Sequence, residues 1–170
     1  MSATNRGAVR IEADFYPTPL TAFMPLIPYL PKVKTWEPAQ GDGRLVRAMV
    51  ASGIDAKGSD LYPQDGTVPV DFLSTDGHYP CIVTNPPFSL AFEFCQHALE
   101  LSDHVFLLLR LNFLASKKRK SWWISHEPSA IFVLSSRPKF CKNKHGKWAT
   151  DACDYMWASW GTLHTGIFHL

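Results

Sequence analysis

Cysteine is scarce in this chain, and no two cysteines stand at short spacing. The four cysteines are scattered without a CxxC pair, which argues against a disulfide scaffold or a cysteine-rich zinc site. No apolar run approaches the roughly 20 residues that a membrane-spanning helix needs. The first 19 residues contain no apolar core of the kind found in secretory signals. We therefore expect a protein of the reducing cytoplasm, with no membrane partner and no metal.

Repeats, low-complexity tracts and long linkers are also missing. The chain has 170 residues, of which 46% are hydrophobic and 19% are charged. This composition excludes an intrinsically disordered chain, and the length suits one domain with a substantial core. We expect residues 1–170 to form a single domain, without a separate domain for recognising a target.

Acidic residues are nearly absent from one part of the chain. Residues 110–147 carry ten Lys and Arg but one acid, whereas residues 1–109 carry seven Lys and Arg and twelve acids. The net charge of the whole chain is only +2. A concentrated basic segment attracts polyanions, so the distribution favours contact with nucleic acid over a merely solvated lysine-rich face.

Short strands and helices alternate along the chain. We expect strands at Val33–Trp36, Ile54–Leu61, Val68–Phe72, Cys81–Thr84, Val105–Leu109, Ile131–Leu134 and Asp154–Trp160. We expect helical segments at Pro19–Leu30, which Pro25 and Pro28 interrupt, and at Arg44–Ser52, Leu90–Leu101 and Ala115–Ser125. Such alternation predicts an α/β fold with an open, mostly parallel sheet, whose ligands bind beyond the carboxyl ends of the strands.

A glycine turn follows the first predicted strand. Its sequence, Glu37-Pro38-Ala39-Gln40-Gly41-Asp42-Gly43, lets the backbone approach a ligand closely at the two glycines. The turn matches neither GxGxxG nor a Walker loop, which weighs against NAD and ATP. The Glu37 carboxylate suits a cationic group such as an ammonium.

Two further acids end the next two predicted strands. An acid at the position of Asp60 hydrogen-bonds ribose hydroxyls in nucleotide-binding sheets, and Leu61 beside it can pack on an adenine face. Asp71 can accept a hydrogen bond from an exocyclic amine while Phe72 packs the base. One such acid could be a surface charge, but three at successive strand ends indicate a nucleotide-like ligand.

The most informative stretch is Asn85-Pro86-Pro87-Phe88, which follows a buried strand. The prolines fix the backbone, and the oxygens of Asn85 and Pro86 then present two hydrogen-bond acceptors to one point. An –NH2 group stacked on Phe88 and donating to both acceptors would have its lone pair released from conjugation. The motif therefore predicts that an amine attacks an electrophilic carbon.

These motifs together resemble those of S-adenosylmethionine-dependent N6-adenine DNA methyltransferases, most closely the small phage-type enzymes. NPPF resembles the family's catalytic motif, and Phe15-Tyr16-Pro17-Thr18-Pro19 resembles its upstream F-x-x-T-P element. The segments Arg137–Phe140 and Tyr155–Trp157 resemble late RPxF and YxW pieces. The resemblance implies a class I, Rossmann-like methyltransferase fold with an antiparallel hairpin strand near its C-terminal end.

The resemblance also implies roles for individual residues. The implied catalytic residues are Asn85, Pro86, Pro87 and Phe88. The residues implied to bind S-adenosylmethionine are Tyr16, Thr18, Pro19, Glu37, Pro38, Ala39, Gly41, Gly43, Asp60, Leu61, Asp71, Phe72 and Asn85. Gln40 departs from the family, which more often has a small residue there.

The basic segment supplies candidates for DNA contacts. They are Lys117, Lys118, Arg119, Lys120, Arg137, Lys139, Lys142, Lys144 and Lys147. Trp122 and Trp123 are more typical of packing than of base stacking. The adenine of a duplex must be flipped out before its amine can reach such a pocket. We expect weak or short sequence specificity on duplex or single-stranded DNA, and a homodimer could extend it.

Three alternatives remain open. The substrate could be RNA adenine, since NPPF also occurs in enzymes that methylate it. It could be a protein glutamine amide, against which the basic segment argues. The chain could also be a silent module that binds nucleic acid, against which the intact NPPF argues.

Overall fold

The computed structural model describes residues 16–142, 148–150 and 152–170. The strands in this part of the chain are β1 Thr35–Glu37, β2 Ala56–Gly58, β3 Tyr79–Thr84, β4 Ser102–Arg110, β5 Ala130–Val133, β6 Cys141–Lys142, β7 Trp148–Ala149, β8 Tyr155–Trp160 and β9 Gly166–His169. The α-helices are α1 Leu20–Phe23, α2 Arg44–Ala51, α3 Ala91–Leu101 and α4 Lys120–Ser125. Short 3-10 turns occupy Met24–Tyr29, Phe72–Ser74, Phe88–Leu90, Leu111–Phe113 and Lys117–Arg119.

Seven of the described strands form one sheet in the order β2-β1-β3-β4-β8-β5-β9. Strand β8 runs antiparallel to both β4 and β5. The other neighbouring pairs are parallel. The α/β fold with a mostly parallel sheet and a late antiparallel strand is therefore confirmed.

Helices cover both faces of the sheet, and the side chains of β4 point alternately into the two cores. Phe106 and Leu108 point into the core that α1 and α2 cover, whereas Val105, Leu107 and Leu109 point into the core that α3 covers. Because successive side chains of a strand alternate between faces, a strand buried on both sides needs a continuous apolar sequence. This requirement explains the run Val105–Leu109.

Helices α2 and α3 begin and end within one residue of the predicted bounds. Helix α2 starts after Gly43, which has a φ of 74°, and ends before Gly53, which has a φ of 79°. Both values lie in the left-handed region that glycine tolerates. Helix α3 follows the NPPF turn directly and packs on the sheet. Within the described residues, no helix has the length and hydropathy to cross a bilayer.

Two parts of the predicted pattern are wrong. Residues 68–71 form no strand, and Phe72 begins a 3-10 turn that the Asp71 side chain caps. Val68 is 80% exposed and Pro69 has no N–H to donate, so this segment offers neither a buried side chain at Val68 nor a continuous row of backbone donors for pairing with β2. The predicted helix at 115–125 is a 3-10 turn followed by α4, which starts only at Lys120.

The edge strand β9 and the small pair β6–β7 were not predicted. Strand β9 pairs in parallel with β5, although Ile167 is its only large aliphatic side chain and is 69% exposed. Strands β6 and β7 have two residues each. Segments this short or this exposed lack the hydrophobic alternation on which a sequence-based prediction depends.

Candidate active site

A cleft opens at the carboxyl ends of the central strands. The chain passes from β1 outward to β2 and then returns to β3 on the other side of β1, so the order of the sheet reverses between β1 and β3. Open α/β sheets bind ligands at such a reversal. The cleft there has a volume of about 720 Å³, which is within the range of small-molecule sites.

The cleft brings together most of the predicted site residues. Those that line it are Tyr16, Thr18, Glu37, Pro38, Ala39, Gly41, Asp60, Leu61, Asp71, Phe72, Asn85 and Pro87. Four predicted residues lie outside the lining, namely Pro19, Gly43, Pro86 and Phe88. Pro19 instead precedes α1 and Gly43 precedes α2. The Asn85 corner and the Gly41 turn thus share one cavity.

Glu37 is the last residue of β1 and is completely buried. One carboxyl oxygen, Oε1, accepts a hydrogen bond of 3.1 Å from the backbone N–H of Ala39. The pKa of this carboxyl is raised to about 8, chiefly by burial; the Thr84 hydroxyl and the Ala39 N–H act in the opposite direction, and the nearby Asp60 carboxylate adds a smaller upward effect. Among the described residues, the buried oxygen Oε2 has no hydrogen-bond partner of good geometry. A buried acceptor of this kind suits a cationic or hydrogen-donating ligand.

Asp60 holds the glycine turn in place. Its carboxylate oxygens accept hydrogen bonds of 2.8 Å from the backbone N–H groups of Gly41 and Tyr62. Each carboxylate oxygen has a second lone pair, so Asp60 can also accept from hydroxyl groups in the cleft. Leu61 and Tyr62, which follow it, are 43% and 65% exposed and lie at the mouth of the cleft.

Asp71 and Phe72 lie at the same cavity, but their side chains have structural tasks as well. The Asp71 carboxylate accepts hydrogen bonds from the Leu73 N–H and the Ser74 hydroxyl. The Phe72 ring is 2% exposed and packs against Trp36 and Phe94. Although the expected strand is missing, the 3-10 turn still brings Asp71 and Phe72 to the cleft.

The two polar atoms of the Asn85 side chain differ in their hydrogen bonding. Its Nδ2 donates a hydrogen bond of 3.1 Å to the backbone carbonyl of Tyr16. A carbonyl can only accept, so this bond fixes the amide orientation and leaves Oδ1 on the other side. That oxygen is buried and finds no hydrogen-bond donor within the described part of the chain. Because buried acceptors are normally satisfied, Oδ1 is a strong candidate for binding a donor on a substrate.

Phe88 lies behind this corner in a group of aromatic rings formed with Tyr16, Phe140 and Tyr155, which we call the aromatic cage. Its ring centroid is 5.3 Å from that of Tyr16, and the two ring planes are stacked at an angle of 29°. The rings of Phe140 and Tyr155 lie 6.0 and 5.9 Å away. These two belong to the RPxF and YxW segments, which the fold therefore brings to the catalytic motif.

Arg110 lies over the aromatic cage and was missed at the sequence level. Its guanidinium carbon lies 4.4 Å from the centre of the Phe88 ring, and Nε donates to the Tyr155 hydroxyl at 3.3 Å. The available signal was its position, because Arg110 directly follows five buried apolar residues at the end of β4. A cation at the carboxyl end of a central strand lies at the ligand-binding edge.

Gln40 also lines the cleft and was expected only as a departure from the family. Its Nε2 donates to the Asp65 carboxylate at 3.2 Å, so it ties the 61–67 loop to the glycine turn. Its side chain lies against Gly58, where an added Cβ would come within 2.1 Å of Oε1. The larger side chain is therefore accommodated by a glycine at the end of β2.

The basic residues divide into exposed and engaged groups. Lys117, Lys118, Lys120 and Lys139 are exposed or half-buried at the surface. Arg119 instead donates from Nε and Nη2 to the Phe113 carbonyl and lies over the Phe113 ring. Arg137 forms an ion pair with Asp154 at 2.8 Å. Lys142 lies in β6, and Lys144 and Lys147 are outside the described residues.

The two neighbouring tryptophans pack within the protein. Trp122 stacks on His126 with ring centroids 4.8 Å apart, and Trp123 stacks on Trp160 at 6.1 Å. The Trp123 indole N–H also points to the Phe113 carbonyl. These contacts agree with the packing role expected for both residues.

Comparisons with known proteins agree on the fold. A candidate RNA methyltransferase from Pyrococcus horikoshii is 15% identical, with a TM-score of 0.64 over 91% of this chain and 93% of its own. The methyltransferase subunit of a type I restriction-modification system from Streptococcus thermophilus is 14% identical, with a TM-score of 0.62 over 99% of this chain but only 48% of its own. A Thermoplasma acidophilum protein gives 12% identity and a TM-score of 0.54, with 81% coverage of each chain.

No protein-family model and no curated protein matches the sequence. At these identities the structural similarity defines the fold, which is the Rossmann-like fold of methyltransferases. The chain corresponds to about half of the Streptococcus thermophilus subunit.

Proposed function

We propose that this protein transfers a methyl group from S-adenosylmethionine to the N6 amine of adenine in DNA. The observation that carries the proposal is the buried Oδ1 of Asn85, which no donor in the described residues satisfies and which lies at the cleft beside the glycine turn. An acceptor held in this way is suited to one N–H of an exocyclic amine.

The cleft residues fit S-adenosylmethionine. The Glu37 carboxyl, whose Oε2 has no hydrogen-bond partner within the described part of the chain, would take the ammonium of the methionine end, and Asp60 would accept from the ribose hydroxyls. Leu61, Phe72 and Asp71 would hold the adenine moiety of the cofactor. When bound, the cofactor supplies an electrophilic methyl carbon on a sulfonium.

The protein residues act on the substrate amine. Asn85 Oδ1 and the Pro86 carbonyl accept the two N6 hydrogens, which draws the nitrogen lone pair out of conjugation with the adenine ring. Pro86 and Pro87 have no N–H groups, so no backbone donor at these positions competes for the acceptors. After methyl transfer the nitrogen carries one excess proton, which passes to solvent.

Nucleic acid is the proposed substrate class because of the surface basic residues. Lys117, Lys118 and Lys120 are exposed and lie in the segment that follows β4, whose last residue is Arg110. Phosphate contacts from such residues help offset the cost of extracting the target base. The proposal includes weak or short sequence specificity. Most of the described residues belong to the sheet, its helices and the loops of the cleft, which leaves few of them to recognise a DNA sequence.

Mass spectrometry of nucleosides tests the proposal directly. The protein is incubated with methyl-labelled S-adenosylmethionine in three separate reactions, which contain duplex DNA, single-stranded DNA or RNA. We expect labelled N6-methyladenine from DNA. Labelled adenine from RNA alone would change the substrate class, and the absence of labelled adenine from all three nucleic acids would exclude adenine. Methylation confined to one site of four or more base pairs would contradict weak specificity.

A further inference from the structure

Arg110 covers the ring on which the proposed substrate must stack. Its guanidinium carbon is 4.4 Å from the centre of the Phe88 ring, which is the distance of a cation–π contact. The ring of Tyr16 is stacked against the same ring at 5.3 Å. Phe140 and Tyr155 occupy further positions around it. A planar base can therefore reach Phe88 only if one of these neighbours moves.

Arg110 is the neighbour that can move at least cost. The backbone of Tyr16 is tied to Asn85 through the Nδ2 hydrogen bond, so displacing Tyr16 would disturb the proposed amine-binding residue. Phe140 and Tyr155 are 4% and 0% exposed. Arg110 is partly exposed at the end of β4, and its guanidinium is carried on a long, rotatable stem, so it can leave Phe88 by side-chain rotation alone, at the cost of contacts that include the 3.3 Å hydrogen bond from Nε to the Tyr155 hydroxyl.

A displaced guanidinium needs an anionic partner, and the substrate brings one. Adenine itself is neutral, but every nucleotide carries a phosphate. Guanidinium groups bind phosphate through paired, charge-assisted hydrogen bonds. The arginine therefore has one favourable position when the site is empty and another when a nucleotide is present.

We propose that Arg110 is a substrate-binding residue that occupies the base-stacking face of Phe88 in the absence of nucleic acid and transfers to a phosphate of the target nucleotide when the base replaces it. The inference rests on the proposed function, since it takes adenine as the base. It adds that the site distinguishes a nucleotide from a nucleoside.

The test compares adenosine with adenosine 5′-monophosphate as ligands of the full chain. S-adenosylhomocysteine is present at saturation, so that adenosine cannot enter the cofactor part of the cleft. Affinities are measured by NMR titration for the wild type, Arg110→Ala and Arg110→Lys. Lys34→Ala is the control, because Lys34 is an exposed cation just before β1, at the opposite edge of the sheet.

We expect Arg110→Ala to bind adenosine about threefold to tenfold more tightly than the wild type, as removal of a cation–π competitor requires. It should also lose the preference of the wild type for the monophosphate. Arg110→Lys retains the charge and should keep that preference, which also provides a folded variant if Arg110→Ala is unstable. Lys34→Ala should match the wild type in both affinities.

Two results would overturn the inference while leaving the proposed reaction intact. One is an unchanged or weaker affinity of Arg110→Ala for adenosine, and the other is an undiminished preference for the monophosphate. If no variant binds adenosine while all bind S-adenosylhomocysteine, adenine itself fails as the substrate and the inference falls with it.

Discussion

The amide of Asn85 is oriented by the backbone of Tyr16, because Nδ2 donates to the Tyr16 carbonyl oxygen at 3.1 Å. Two distant parts of the chain, the segment before α1 and the turn after β3, meet in this bond. Its consequence is that Oδ1 stays buried at the cleft, away from every donor in the described residues. The bond therefore sets up an acceptor before any substrate arrives.

Replacing Asn85 by alanine should separate chemistry from cofactor binding. We expect Asn85→Ala to lower the methylation rate at least about a hundredfold, comparable to the removal of one stabilising group in other active sites. Binding of S-adenosylhomocysteine, measured by calorimetry, should change little. Asn112→Ala is a matched control, since Asn112 is an exposed asparagine. Substantial residual activity in Asn85→Ala would contradict the proposed role of Oδ1.

The raised pKa of Glu37 predicts how stability depends on pH. Burial is the largest cause, and it raises the pKa from 4.5 to about 8. Between these values the folded protein keeps a proton that the unfolded chain has released, so stability is greatest below pH 4.5 for this group and falls as the pH rises toward 8. The expected slope approaches roughly 1.4 kcal/mol per pH unit.

Thermal or urea unfolding of the ligand-free protein between about pH 5 and pH 8 measures this dependence. Glu37→Gln should flatten the decline, because a glutamine has no proton to release. Asn112→Ala, at an exposed residue without an ionisable side chain, should leave the slope unchanged. Equal slopes for the wild type and Glu37→Gln would show that Glu37 does not titrate in this range.

Binding of a cationic ligand beside Glu37 should release a proton. At pH 7 a carboxyl with a pKa of about 8 is mainly protonated, and a nearby ammonium favours its ionised form. Calorimetric titration with S-adenosylhomocysteine in buffers of different ionisation enthalpy should therefore give different apparent enthalpies. Glu37→Gln should abolish the difference. A buffer-independent enthalpy in the wild type would place the ammonium elsewhere.

Gln40 and Gly58 should behave as a coupled pair. A Cβ at residue 58 would lie 2.1 Å from Gln40 Oε1 and 2.8 Å from Gln40 Cβ. We expect Gly58→Ala to cost about 1–3 kcal/mol by overpacking, and to weaken cofactor binding by loosening the hydrogen bond from Gln40 to Asp65. Gln40→Gly in the same chain should recover much of this stability. Additive effects in this double-mutant cycle would contradict the coupling.

The surface lysines after β4 should control the salt dependence of DNA binding. We expect Lys117→Ala, Lys118→Ala and Lys120→Ala together to reduce the slope of log K against log salt by about 0.9 for each duplex phosphate that the variant leaves unneutralised. Lys32→Ala with Lys34→Ala is the control, since both lysines are exposed before β1.

The same measurement with Lys142, Lys144 and Lys147 replaced by alanine tests the second predicted group of DNA-binding lysines. We expect a smaller slope here as well, because each of these side chains would neutralise a phosphate. For either group of lysines, a slope equal to that of the wild type would show that the group does not contact DNA.

Much of the fold could be predicted because the central strands carry strong local signals. The run Val105–Leu109 and the glycines that bound α2 each reflect a requirement of the backbone or of two-sided burial. The predicted strand at Val68–Phe72 failed because apolar character alone cannot reveal whether a partner strand exists. Phe72 is buried, but it is buried from a 3-10 turn against Trp36 and Phe94.

The cleft could be predicted because Glu37, Asp60 and Asn85 lie at the ends of three neighbouring parallel strands, which meet at one edge of the sheet. The aromatic cage could not be predicted in this way. Phe140 and Tyr155 resembled family motifs, but their contact with Phe88 depends on β8 lying beside β4. The cover that Arg110 places over Phe88 depends on side-chain packing across three segments, and single-sequence patterns carry no information about it.

The position of β8 has a consequence for synthesis of the protein on the ribosome. Strand β4 pairs along one side with β8, whose first residue, Tyr155, lies 45 positions after Arg110. Until those residues have been translated, the buried run Val105–Leu109 of β4 keeps an unpaired edge. Exposed apolar edges invite aggregation, so slow elongation between these two points should increase the dependence of newly made chains on chaperones.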